Sequence, residues 1–128
     1  MQIQKTCYAP TFNARFVNNQ AFKEVVQYAQ ENDCMRTLDA ALNLLKKAND
    51  KDITIFHGVR GDGKIYSTFT CRKRSVPNNV SDAKSPAEAS FDGILELSML
   101  TKKFKSLVGA SKVEQNITPE TLIKEYTV

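Results

Sequence analysis

Seven residues between positions 56 and 74 have the types that engage an anionic, aromatic ligand: Phe56, Arg60, Lys64, Tyr66, Arg72, Lys73 and Arg74. Phenyl and phenol rings can stack on nucleobases while guanidinium and ammonium groups meet phosphates, and such a stack contributes about 1–3 kcal/mol per base. Threonines 54, 68 and 70 stand among them with small hydroxyl side chains. Burial of the same aromatics under a helix or a second chain would leave a structural cross-strand pair instead.

The same stretch spells Gly58-Val59-Arg60-Gly61-Asp62-Gly63-Lys64, which matches the G-x-x-x-x-G-K part of a phosphate-binding loop. Two features oppose that reading. Ile65 follows the lysine where a Ser or Thr hydroxyl should reach magnesium, and residues 65–71 alternate as a strand where a helix N-terminus should receive phosphate. A glycine-rich hairpin turn accounts for the segment better. Arg60-Gly61-Asp62 and the sequons at Asn79 and Asn116 would matter only outside the cell, and the chain reads as cytoplasmic.

Nucleophilic chemistry has little to work with. His57 is the single imidazole, and the sequence puts no acid or thiol beside it, so it reads as a hydrogen-bonded core histidine. Cys7, Cys34 and Cys71 are odd in number, far apart and without a C-x-x-C pair, which opposes both structural zinc and a disulfide framework. Only Cys71 shares a strand face with His57. The helices between residues 20 and 48 invite comparison with a helix-turn-helix, but Asp39 and Asp50 accompany Arg36, Lys46 and Lys47 on the second, and its apolar face is wide enough to be structural.

The elements that would position the candidate site follow from periodicity. Ile53-Thr-Ile-Phe-His-Gly-Val59 and Lys64–Lys73 alternate around Arg60-Gly61-Asp62-Gly63 and predict a hairpin over 53–59 and 64–73. An odd-length loop keeps Ile53, Ile55, His57, Val59, Ile65, Ser67, Phe69 and Cys71 on one, inward face. Thr54, Phe56, Tyr66, Thr68, Thr70, Arg72 and Arg74 then share the other, with Phe56 expected opposite Tyr66. Gln2–Tyr8 is strand-compatible, and Thr11–Val17 is a second short aromatic run. Apolar residues at helical spacing after Asn18 and Asn19 predict a helix over 20–31, and Met35, Leu38, Ala41, Leu42 and Leu45 predict another over 35–48, with Asp33 as its cap and a turn between them. Residues 75–84 have loop composition. Ser85-Pro86-Ala87-Glu88 then opens a helix expected over 86–108, and Thr118–Glu125 reads as a short capped helix.

Composition sets the frame for these elements. The 128 residues are 41% hydrophobic and 25% charged, the balance of one folded domain over 1–128 rather than of a disordered or membrane chain. The net charge of +4 is uneven: residues 58–112 carry ten Lys/Arg against five Asp/Glu, so an anionic partner should meet the middle of the chain. The expected fold class is α+β, a small antiparallel sheet of the central hairpin plus an N-terminal strand, packed against the helices. The expected function is non-enzymatic binding of an anionic ligand, single-stranded nucleic acid or a nucleotide, through the aromatic and basic hairpin face, with no metal or cofactor. The alternative is a protein–protein interaction module, an inhibitor or homo-oligomer subunit, using the same face.

Overall fold

The computed structural model describes residues 14–48, 51–71, 74–78, 83–98 and 117–128. Over these residues the chain is α+β. Helices α1 (Gln20–Glu31) and α2 (Met35–Ala48) precede strands β1 (Ile53–Val59), β2 (Ile65–Cys71) and β3 (Arg74–Asn78), and helices α3 (Pro86–Leu97) and α4 (Pro119–Tyr126) follow. The strands form one antiparallel sheet in the order β1-β2-β3, and the described helices pack on one face of it and on each other. No described helix is long and apolar enough to cross a membrane.

Helices α1, α3 and α4 start where a side chain takes one of their first orphan amides. Asn19 accepts from the Phe22 amide at 2.9 Å and spends its own Nδ2 on the Ile55 carbonyl at 2.9 Å, so one residue both opens α1 and ties it to the edge of β1. Ser85 accepts from the Glu88 amide, while the Glu88 carboxylate reaches back to the Lys84 amide at 2.7 Å. Thr118 and Thr121 cap α4 reciprocally. Asp33 does not cap α2: it adopts a left-handed φ of 55°, and the Cys34 carbonyl receives the first helical bond, from Leu38, at 2.9 Å. A short polar residue tolerates that conformation, and the reversal there makes two helices of residues 20–48.

The hairpin keeps the expected faces but closes one pair further along. The register runs Ile53↔Cys71 through Val59↔Ile65, so Phe56 lies opposite Thr68 and Tyr66 opposite Gly58, not opposite each other. Glycine decides this. The Arg60 amide bonds to the Lys64 carbonyl at 2.8 Å and closes a three-residue loop, Gly61-Asp62-Gly63, whose third position needs positive φ. Gly63 supplies it at φ 84°.

Residues 75–78, expected as loop, join Arg74 in the third strand. Pro77 is compatible because β3 is an edge and Pro77 pairs with Thr68, whose own backbone groups turn toward β1; the missing N–H faces away from the ladder. The expected N-terminal strand at 2–8 lies outside the described residues. From the run at 11–17, Phe16 makes isolated parallel bridges to Ile53 and to Thr127. Helix α3 ends at Leu97, with the Ser98 amide bonded to Ile94, and residues 99–108 of the expected helix lie outside the described residues.

The core fills the space between sheet and helices. Phe22, Val25, Val26 and Ala29 of α1, Leu38, Ala41 and Leu42 of α2, Phe91 and Ile94 of α3, and Leu122 of α4 close over Ile53, Ile55 and Phe69. Tyr126 is buried with them, its hydroxyl donating to the Asp39 carboxylate at 2.8 Å and its ring beneath the Lys46 ammonium at 5.8 Å. Burial, first, and then the Asp39 acceptor push that phenol well above its ordinary range, so it stays protonated and keeps donating.

Candidate functional site

Two groups of side chains stand out, one on each face of the sheet. On the outer face, Phe56 is 53% exposed, and Thr54, Tyr66, Thr68 and Thr70 are half-buried. The register makes Phe56 and Tyr66 diagonal neighbours. The end of the Tyr66 ring lies over Gly58: a Cβ added there would stand 3.0 Å from Tyr66 Oη, 3.1 Å from Cε1 and 3.3 Å from Cζ. The glycine is thus the space the ring occupies.

The basic residues expected around this face have separate fates. Arg60 and Lys64 are exposed at the hairpin tip. Asp62 has already engaged both: its carboxylate accepts from Arg60 Nη2 at 3.0 Å and Nε at 3.4 Å, and from the Lys64 amide at 3.0 Å. These donors, the Lys64 amide first and the Arg60 guanidinium next, hold the Asp62 carboxyl below the usual carboxylate range. A loop whose donors hold its own anion is not a phosphate cradle, which disposes of the G-x-x-x-x-G-K match. Arg72 and Lys73 lie outside the described residues. Arg74 stands opposite Cys71 at the start of β3, a register position of the Ser67–Phe69–Cys71 row and not of the Thr68–Thr70 row.

On the inner face, the structure assembles a chain of polar groups that periodicity does not reveal. His57, with a side chain 5% exposed, hydrogen-bonds through Nε2 to Glu24 Oε1 at 2.7 Å and through Nδ1 to Ser90 Oγ at 2.7 Å. Ser90 Oγ lies 2.7 Å from Ser67 Oγ. A neutral imidazole fits one consistent direction of donation: Ser67 to Ser90, Ser90 to Nδ1, and Nε2–H to the carboxylate. The chain therefore links β2, α3, β1 and α1, and it ends at a Glu24 side chain 44% exposed.

Acid, imidazole and hydroxyl in this sequence have the connectivity of a nucleophilic triad. Ser90 and Ser67 are fully buried, however, so neither hydroxyl can meet a carbonyl carbon from solution. The arrangement pins two helices to the sheet. Both imidazole nitrogens are engaged, which leaves none for Cys71. The signal that was there to find is Ser90, a hydroxyl on the buried stripe of α3 between Ala89 and Phe91, together with Ser67 on the inward row of β2; polar residues at core positions need partners.

The chain matches no protein family, no curated protein and no solved structure. The side chains themselves carry the functional argument.

The Glu24 carboxyl is held below its ordinary value, chiefly by the hydrogen bond from His57 and further by that from Gln20, against a smaller opposing effect of burial. A depressed carboxyl contributes stability that is fully present above its unfolded-state value and is lost as pH falls through its folded-state value. Glu24→Gln keeps an acceptor for Nε2–H but removes the titration. Its melting temperature, followed by circular dichroism from about pH 5 to about pH 3, is expected to fall less steeply than that of the unsubstituted protein. The difference stays below about 1 kcal/mol because Glu24 is half exposed. Parallel pH profiles would rule the contribution out.

Proposed function

We propose that this protein is a non-enzymatic binding protein that takes an anionic ligand, single-stranded nucleic acid or a nucleotide, on the outer face of the β1–β2 hairpin. The observation that carries the reading is Phe56, a large ring more than half exposed on a sheet face whose other side supplies the core. An exposed phenyl group forgoes burial worth about 1.5–3 kcal/mol, and a stacking ligand recovers it. Tyr66 beside it, the threonine rows around it, and the excess of ten Lys/Arg over five Asp/Glu in residues 58–112 support the same ligand chemistry. The proposed contacts are Phe56 and Tyr66 to bases, with Arg60, Lys64, Arg72 and Lys73 supplying positive charge.

The test is fluorescence anisotropy with labelled single-stranded RNA, single-stranded DNA and duplex DNA at two salt concentrations. Affinity is expected to fall with salt at a logarithmic slope of about 0.7 per phosphate contact on a single strand. The Arg72→Ala variant should reduce both affinity and slope. Absence of binding at low salt would refute the reading.

A second reading, an interaction surface for another protein or a second copy of the chain, draws on the same exposed Phe56. A ring of that size in water is apolar surface that a protein partner would cover. A concentration-dependent dimer mass in solution, lost in Phe56→Ser, would favour it.

A further inference from the structure

We infer that the outer face is a two-base platform, which selects unstacked single strands of at least two nucleotides over both duplexes and mononucleotides, and that Gly58 is the residue that positions its second ring. The inference rests on the nucleic-acid reading above and narrows its ligand.

The placement of the rings sets the selection. With Phe56 opposite Thr68 and Tyr66 opposite Gly58, the two aromatics occupy diagonal positions on adjacent strands, side by side on one sheet face rather than one above the other. Each therefore needs a base with a free face, and consecutive bases in a duplex have theirs covered by each other. A single strand can splay neighbouring bases and lay one on each ring. A mononucleotide can use only one.

Orientation of the second ring comes from the backbone opposite. Three successive atoms of the Tyr66 ring end, Cε1, Cζ and Oη, lie 3.0–3.3 Å from where a Cβ on Gly58 would be. Contact with the ring carbons as well as the hydroxyl places the end of the ring over the strand at Gly58. Any side chain at position 58 would lift it. Because the atoms displaced are the far end of a side chain, a methyl group there moves the ring without breaking the sheet.

The experiment uses the full chain with labelled oligothymidines of one, two, four and eight nucleotides and a blunt duplex of eight base pairs. From one to two nucleotides affinity is expected to rise roughly tenfold or more, the value of one added stack. Longer strands should add only shallow, salt-sensitive increments, and the duplex should bind more weakly than the single strand of equal length. Gly58→Ala should cost several-fold in dinucleotide affinity, and the same substitution in a Tyr66→Leu background should cost nothing further. The seat itself has a ligand-independent readout: the Gly58 Hα resonances are displaced by the ring current in the free protein and return to ordinary values in Tyr66→Leu.

The outcomes separate. If no single strand binds, the nucleic-acid reading falls and takes the platform with it, whatever the Hα shift. If single strands bind but the mononucleotide matches the dinucleotide, or the Gly58 and Tyr66 effects add, the reading stands and the platform is overturned. An adenine or guanine series behaving like thymine supports the platform, since stacking needs only a π-face.

Discussion

Alanine at both Phe56 and Tyr66 is expected to lower affinity for a single-stranded oligonucleotide by between about 30-fold and about 25,000-fold while leaving the thermal midpoint nearly in place. The range is two stacks at about 1–3 kcal/mol each. The stability expectation follows from position: Phe56 is more than half exposed, and both rings lie on the face away from the core, so their removal opens no cavity among the buried residues. Arg60→Ala provides the contrast. Its guanidinium is committed to Asp62 at 3.0 Å, so its deletion frees an acceptor at the tip and should change affinity less than either ring. Anisotropy titrations at one fixed salt, with melting curves on the same samples, check the ordering. Loss of affinity in step with loss of folding would assign the rings to stability instead.

His57→Ala is expected to destabilise the protein by about 3 kcal/mol, the largest effect of any polar substitution in the described residues. The imidazole is nearly fully buried and is the only link between Glu24 and the Ser90–Ser67 hydroxyl pair. Its removal leaves a cavity and a buried Ser90 O–H without its acceptor, a loss that costs about 1–3 kcal/mol by itself. Ser90→Ala should cost about 1–2 kcal/mol, since His57 Nδ1 and Ser67 then lose a partner. Adding Ser67→Ala to Ser90→Ala should cost less than its effect alone, because deleting both ends of a buried bond removes the unsatisfied group as well as the bond. Urea denaturation of the four variants reads all of these. A change below about 0.5 kcal/mol in His57→Ala would show that the network contributes nothing net.

Periodicity was enough to read α1 and α2, whose bounds follow from apolar residues at helical spacing; of the two asparagines that could cap α1, the structure uses Asn19. It also sorted the two faces of β1 and β2, because alternation survives a register shift of two residues in the pairing sum. The pair opposite Phe56 was not legible from alternation, since it depends on which loop residue takes the left-handed conformation; Gly63 decides that and Asp62 does not. Strand β3 was hidden by Pro77 and Asn78, residues that oppose a central strand but suit an edge. The inner polar chain was half visible. His57 and Ser67 fall on the inward row by alternation, but Glu24 and Ser90 come from helices 33 residues away on either side of His57, and only packing angles bring them together.

Phe16 gives the structure an order in time. Its amide bonds to the Tyr126 carbonyl at 2.7 Å, and its carbonyl accepts from the Val128 amide at 3.1 Å, while Arg15 and Val17 on either side bond to Ile53. A ribosome adds about 5–20 residues per second, so a nascent chain holds Phe16 for roughly 5–20 seconds before residues 126–128 have been made. During that interval α1, α2 and the hairpin can form, but the buried ring of Phe16 and the backbone groups beside it lack their last partners. The segment around Phe16 is then an open strand edge on a half-assembled nascent chain, the stage at which a chaperone would have most to cover.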